Sequence, residues 1–255
     1  MQADTRHQRI LDLLMRRGYA GIDELTIAFG VTPQTIRRDL QELADKGLLR
    51  RRHGGASVSS STANTDYARR HVENAEAKAR IAWAAADLIA PDSSLFLTAG
   101  TTMEAAAEAI AKSASGSLRV VTNSTTAART LGRNPAVSVL VTGGTWMTNN
   151  EALAGPAAAD FADRYRCDVM MTSCGGIDPD GWLLEFRDEE VVTAKAMLAN
   201  ARRRVLLVDH TKFARVASCK LAHLEEMTTI VTDRAPGQEM TRLITRAKCE
   251  LIVAR

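Results

Sequence analysis

Apolar residues recur at helical spacing in three stretches of the first 47 positions and then, from position 95 onward, in short runs of strand length. Ile10, Leu13 and Leu14 share one helical face within residues 6–18, a stretch that stops at Gly18. Leu25 and Phe29 do the same over residues 23–29, and Ile36, Leu40 and Leu43 repeat at i, i+4, i+7 between Thr32 and Gly47. The later runs are LFLTAG (95–100), RVVTN (119–123), VSVLVTG (137–143), DVMMTSC (168–174), VLLVD (205–209), TIVTD (229–233) and ELIVA (250–254). Alanine-rich amphipathic stretches separate them, which predicts an α/β domain with a parallel sheet covered by helices. A further helical pattern over residues 66–90 places Ile81, Ala85 and Leu88 near one face.

The third helix has a start signal. Thr32 caps the free amides of a helix N-terminus, and Pro33 suits the first helical position because its missing N–H has no partner to lose. Gly30 and Val31 leave only a tight turn before it, so the second and third helices form a helix-turn-helix, whose second member enters the DNA major groove. With Ile36, Leu40 and Leu43 turned inward, the outward surface from Thr32 displays Gln34, Thr35, Arg37, Arg38 and Gln41. Arginine and glutamine are the side chains that pair with base edges. Two adjacent arginines alone are ordinary solubilising charge; the neighbouring helices and LLRRRHGGA (48–56) change that reading. The latter predicts a short hairpin wing whose Arg50, Arg51, Arg52 and His53 grip the DNA backbone or minor groove.

Charge falls in the same place. Residues 1–58 hold ten Lys and Arg against seven Asp and Glu, whereas residues 59–255 hold twenty-three of each, so the whole net charge of +3 sits in the first segment. The domain boundaries expected are a winged helix-turn-helix over 1–58, a linker over 59–75 that includes much of the Ser/Thr-rich SVSSSTANT (57–65), and a sensing and oligomerisation domain over 76–255. Neither a charged-then-apolar leader nor an apolar run of about 18 residues is visible, which predicts a cytoplasmic protein. Cys167, Cys174, Cys219 and Cys249 have neither CxxC nor His-interleaved metal spacing, and most of them read as buried thiols. Neither a metal nor another cofactor is expected.

The strand ends carry the second candidate chemistry. Gly100, Thr101 and Thr102 precede one helical stretch and Asn123 and Ser124 another; Gly143, Gly144, Gly175 and the Asp209 to Lys212 segment close other strands. Glycines admit close backbone approach, hydroxyls and helix N-terminal amides donate to phosphate oxygens, and Lys212 supplies a countercharge. Ligands of such sheets bind at the carboxyl ends of the strands. Any one of these turns alone is usually just a turn; their repetition at strand ends points to a phosphorylated small molecule.

Residues 5–56, with QTIRRDLQEL and RRRHGG, resemble the N-terminal domain of the DeoR family of bacterial transcriptional regulators, and LFLTAGTT, GIDPDGWLLEF and VDHTKF extend the likeness over essentially the whole chain. The resemblance implies a repressor of a carbohydrate or glycerol catabolic operon. It also implies a C-terminal sensor similar to ribose-5-phosphate isomerase and a phosphorylated sugar or polyol effector, glycerol 3-phosphate first among them. Gly100, Thr101, Thr102, Asn123, Ser124, Gly143, Gly144, Gly175 and Lys212 would then line the effector site. The chain departs from the family pattern at Thr98, Cys174 and Ala194. Partners follow from the same reading: double-stranded operator DNA, and a second copy of the chain, since one helix-turn-helix contacts too few bases for useful selectivity.

Two rivals stand beside this. An aldose–ketose isomerase needs a placed carboxylate base, for which Glu185, Asp188, Glu189 and Glu190 are available, but an acidic run on a helix is usually a solvated face and no catalytic set is assigned. An architectural or RNA-binding protein would want stacking aromatics in the basic segment, where only Tyr19 and Phe29 are found.

Overall fold

The computed structural model describes residues 3–17, 19–45, 48–52, 54–58, 67–148 and 150–255, in two units divided between residues 63 and 64. In the first unit the expected helices form as α1 (Ala3–Arg17), α2 (Ile22–Phe29) and α3 (Pro33–Asp45), with β1 (Tyr19–Gly21) between the first two and β2 (Leu49–Arg52) and β3 (Gly55–Val58) after the third. β2 and β3 are the wing hairpin; β1, which sequence reading did not assign, adds antiparallel to β3. That pairing requires a glycine at position 55, where a Cβ would lie 2.3 Å from the Ala20 carbonyl oxygen. Ile10, Leu14, Leu25, Ile36, Leu40, Leu43 and Leu49 close one core.

The second unit opens with α4 (Tyr67–Val72) and α5 (Ala75–Ala86): the one helix expected over 66–90 is broken at Asn74, whose φ is 55°, and residues 67–75, also read as the end of a linker, are largely structured. The rest of that segment, 59–66, lies outside the described residues. All seven expected strands form: β4 (Ser94–Leu97), β5 (Leu118–Thr122), β6 (Val137–Val141), β9 (Cys167–Thr172), β12 (Ala201–Leu207), β14 (Thr229–Thr232) and β15 (Glu250–Val253). They make one parallel sheet in the order β15-β14-β12-β9-β4-β5-β6. The runs are apolar throughout because both faces are covered. Leu95, Leu97, Val120 and Val205 pack with residues of α5, α6 (Thr101–Ser113) and α7 (Thr125–Leu131). Phe96, Val121, Met170 and Leu206 pack with residues of α8 (Pro156–Ala162), α9 (Asp188–Ala199) and α10 (Gln238–Arg246).

Short strands that the sequence reading did not assign complete the unit. β7 (Thr145–Met147) and β8 (Ala152–Ala154) form a hairpin, and β10 (Gly176–Ile177), β11 (Trp182–Glu185) and β13 (Cys219–His223) a small antiparallel sheet. From β4 the chain runs outward through β5 and β6, then returns to β9 on the other side of β4 and continues to β12, β14 and β15. The order therefore reverses between β4 and β9, which is where sheets of this kind hold ligands. No described helix is long and apolar enough to cross a membrane, and three of the four free cysteines are buried, Cys219 partly so.

Candidate functional site

The first candidate surface is built on α3. Thr32 accepts a hydrogen bond from the Thr35 backbone N–H at 3.2 Å, so its hydroxyl is the expected N-cap, and its Oγ1 stands 2.9 Å from Thr35 Oγ1. Gln34, Arg37, Arg38 and Gln41 are exposed on one surface. Arg38 Nε donates to Glu42 Oε1 at 3.1 Å, an exposed pair four residues apart. Gln41 reaches the wing: Arg51 Nη1 donates to its Oε1 at 2.6 Å while its amide donates to Asp45 Oδ1 at 2.7 Å. Arg50 and Arg52 take their places in β2, but their side chains, and the whole of His53, lie outside the described residues.

Beneath this surface is a buried cluster that sequence reading missed. Asp39 is 3% exposed; Arg6 donates to it through Nε at 2.6 Å and Nη2 at 2.9 Å, and His7 Nε2 lies 3.0 Å from Oδ1. Burial pushes the Asp39 pKa up, and the hydrogen bonds from Arg6 and His7 outweigh it, leaving the carboxyl below its ordinary range. The cluster bonds α3 to α1 across 33 residues of sequence.

The second candidate is a cleft, partly open to solvent, at the carboxyl ends of β4, β9 and β12. Gly100, Thr101 and Thr102 border it at the start of α6, Gly175 beyond β9 and Lys212 beyond β12. These five of the expected ligand residues come together at the reversal of strand order. The other four do not reach the cleft, because β5 and β6 lie one and two strands further out. Ser124 caps α7 by accepting from the Ala127 N–H at 3.1 Å, the Asn123 amide donates to the Leu153 carbonyl at 3.0 Å, and Gly144 lies against the backbone of Ala154; Gly143 is exposed beside it.

Sequence reading missed the remaining cations of the cleft, Arg70, Lys78 and Arg215, since nothing in their neighbourhoods marks a site. The loop after β12 is pinned by Asp233, which accepts from the His210 N–H at 2.7 Å, and by Asp209, which accepts from the Thr211 N–H at 2.9 Å. That fixes Lys212. Burial pushes the Lys78 and Lys212 pKa values down, and does the same for the Arg70 and Arg215 guanidiniums. Four partly desolvated cations around one cleft favour an anionic occupant.

Glu185, at the end of β11, also lines the cleft, and burial together with Glu190 pushes its carboxyl up to about 8. It is therefore mostly neutral at pH 7. Thr98 donates to Thr172 Oγ1 at 3.1 Å, joining β4 to β9; Ala194 is buried in α9 with Lys195 exposed. Asp188 and Glu189 are solvated at the start of α9, as expected of an acidic run on a helix, while Glu190 accepts from the Asn150 amide.

A backbone contact places Arg215. A Cβ on Gly176 would lie 2.0 Å from the Arg215 carbonyl oxygen. Gly176→Ala is expected to cost about 1 to 3 kcal/mol of overpacking, lowering the melting midpoint of the second unit by about 2 to 4 °C per kcal/mol, and to weaken anion binding by moving Arg215. Calorimetry with and without phosphate checks both effects.

Residues 6–62 match the DeoR-like helix-turn-helix domain, and residues 73–234 match the DeoR C terminal sensor domain. The chain belongs to the DeoR family. It is 38% identical over 253 residues to the HTH-type transcriptional repressor CsqR of Escherichia coli (strain K12), covering 99% of this chain and 96% of that one. It is also 38% identical over 245 residues to the Glycerol-3-phosphate regulon repressor of the same organism, covering 96% of each. Among solved structures it is similar to ribose 5 phosphate isomerase A from Neisseria gonorrhoeae, at 14% identity and a TM-score of 0.41, covering 53% of this chain and 52% of that one. As a DeoR-family chain it joins a helix-turn-helix unit to a sensor unit, and the relatives named are transcriptional repressors, not enzymes.

Proposed function

We propose that this protein is a cytoplasmic transcriptional repressor of a carbohydrate or glycerol catabolic operon, acting on double-stranded operator DNA as a homo-oligomer and controlled by a phosphorylated sugar or polyol. The observation that carries the reading is the cleft at the strand-order reversal, where four cations surround the start of α6. Phosphate suits a helix N-terminus, whose amides are unpaired and whose dipole favours negative charge. The polar groups Asn150, Asp209 and Glu185 in the same cleft match the hydroxyls of a sugar or polyol. Glycerol 3-phosphate is the first candidate, supported by the likeness to a glycerol-3-phosphate regulon repressor.

On the DNA side, Gln34, Arg37, Arg38 and Gln41 read the major groove, with Thr32 and Thr35 at the entry of α3, while Arg50, Arg51, Arg52 and His53 hold the backbone or minor groove. Binding of effector shifts operator affinity by favouring one arrangement of the paired DNA-binding units. The test is titration of the full chain against DNA from upstream of its own coding region, with excess random competitor, with and without glycerol 3-phosphate. Specific binding that the ligand alters supports repressor and effector together; specific binding indifferent to it discards the effector.

Arg37→Ala and Arg38→Ala are each expected to cost about 1 to 3 kcal/mol of base discrimination, with sequence preference relaxed at the contacted positions. Selection of binding sites by each variant measures this, and unchanged preference in both removes the assignment. The isomerase reading finds its only support in Glu185; conversion of ribose 5-phosphate by the purified protein would revive it.

A further inference from the structure

The helix that opens the sensor unit is held in place by groups that also line the cleft. α4 has six residues, too few to persist by helical propensity in water, so its position depends on what it bonds to. Arg70 Nη2 donates to Asn150 Oδ1, and the Asn150 amide donates onward to Glu190 at the start of α9. The Lys78 ammonium, from the first turn of α5, donates to the carbonyl of Arg70 and, at 2.8 Å, to that of Glu73. It thus closes the carboxyl end of α4, where a cation is favoured. Arg70, Lys78 and Asn150 all border the cleft.

A separate attachment lies outside the cleft. The Tyr67 hydroxyl donates to Glu104 Oε1 at 2.7 Å, and His71 Nε2 stands 3.6 Å from Glu104 Oε2. Glu104 is 6% exposed in the first turn of α6, and its Oε2 has no hydrogen-bond partner among the described residues. α4 is therefore tethered both by the cleft's own cations and by the Tyr67 hydroxyl on Glu104, with the Arg70 guanidinium 5.7 Å from the centroid of the Tyr67 ring.

We infer that α4 is the element through which occupancy of the cleft acts on the DNA-binding unit, with Arg70 and Lys78 as ligand contacts that release α4 when an anion takes their hydrogen bonds. The inference rests on reading the cleft as an effector site. Asn150 and the two α4 carbonyls offer Arg70 and Lys78 only dipoles, whereas a phosphate offers full negative charge and several acceptor oxygens, so an arriving phosphate draws both cations away from them. The helix then keeps the tether that Tyr67 and His71 make to Glu104 and loses the hold of the cleft's cations. Covalent continuity does the rest, since β3 ends at Val58 and α4 begins at Tyr67. The ligand's differential affinity for the tethered and released positions is what shifts operator affinity.

Tyr67→Phe in the full chain removes the tether that is not part of the cleft. Without ligand, its operator affinity is expected to differ from wild type at least fivefold. Ser94→Ala, which removes a hydrogen bond to Asp168 at the opposite, amino-terminal edge of the sheet, should leave it within twofold. Unchanged affinity in Tyr67→Phe overturns the inference whatever any ligand does. On the wild-type chain, saturating glycerol 3-phosphate or inorganic phosphate is expected to speed amide exchange over residues 67–78 at least fivefold, with β4 and β9 unchanged. Arg70→Gln should weaken binding of the same probe at least tenfold. A probe that binds without changing exchange in α4, or that binds Arg70→Gln as tightly as wild type, also overturns it. A shifted operator affinity in Tyr67→Phe with neither probe binding upholds the role of α4 and removes instead the phosphorylated-polyol reading.

Discussion

Asp39→Ala is expected to unfold the DNA-binding unit and abolish operator binding while the sensor unit keeps its own melting transition. Removing one partner of a buried ionic cluster costs about 3 to 5 kcal/mol, because the groups left behind, here the Arg6 charge and the His7 ring nitrogen, remain desolvated without compensation. A unit of this size holds in total about 3 to 9 kcal/mol, so the loss takes most of its stability. Arg6 and His7 are 8% and 6% exposed, which leaves little room for water to replace the carboxylate. Denaturant unfolding followed by circular dichroism separates the two transitions; a first transition unchanged in Asp39→Ala counts against the cluster's role. The pH dependence has a definite sign. Because the folded pKa of Asp39 is depressed, its contribution is complete above the unfolded value of about 3.9 and disappears as pH falls through the lower folded value. The DNA-binding unit should therefore lose this support only in strong acid.

Lys212→Met is expected to weaken effector binding by about 1.5 to 3 kcal/mol, the worth of a hydrogen bond to a charged group, or roughly 10- to 150-fold. Folding should survive, since methionine keeps the apolar stem and removes an ammonium that burial already disfavours. Calorimetric titration with glycerol 3-phosphate measures the affinity, and a melting curve at or above wild type shows that the loss is local. Unchanged affinity would remove Lys212 from the site. Binding should also weaken as pH rises through about 8, where Glu185 becomes an anion beside the ligand, while the lowered pKa of Lys212 acts in the same direction at higher pH. Glu185→Gln should flatten the first part of that decline.

Local pattern was enough to read most of the elements. Thr32 caps α3 and Pro33 opens it because capping and ring geometry operate over a few residues, and all seven runs proposed as strands enter the parallel sheet. α4 was legible only in part: residues 66–90 read as one helix and 59–75 as linker, and nothing in Tyr67–Val72, which lacks an apolar stripe, shows that the helix breaks at Asn74 or that Lys78 and Asn150 bond to its first part. Asp39 did leave a trace. It falls on the inward stripe between Ile36 and Leu43, where a carboxylate is out of place unless something pairs with it, but no spacing rule points to Arg6, 33 residues earlier.

The sequence by itself determined the two units, the outward face of α3 and the glycine, hydroxyl and lysine chemistry at the strand ends, because each depends on periodicity or on neighbours within a turn. Only the tertiary structure decided which strand ends share a site. Strand order depends on long-range pairing, and the placement of β9 and β12 beside β4 brings Gly100, Thr101, Thr102, Gly175 and Lys212 together while β5 and β6 carry Asn123, Ser124, Gly143 and Gly144 away. It also turned Arg70, Lys78 and Arg215, ordinary surface charges in the sequence, into the desolvated cations of one cleft.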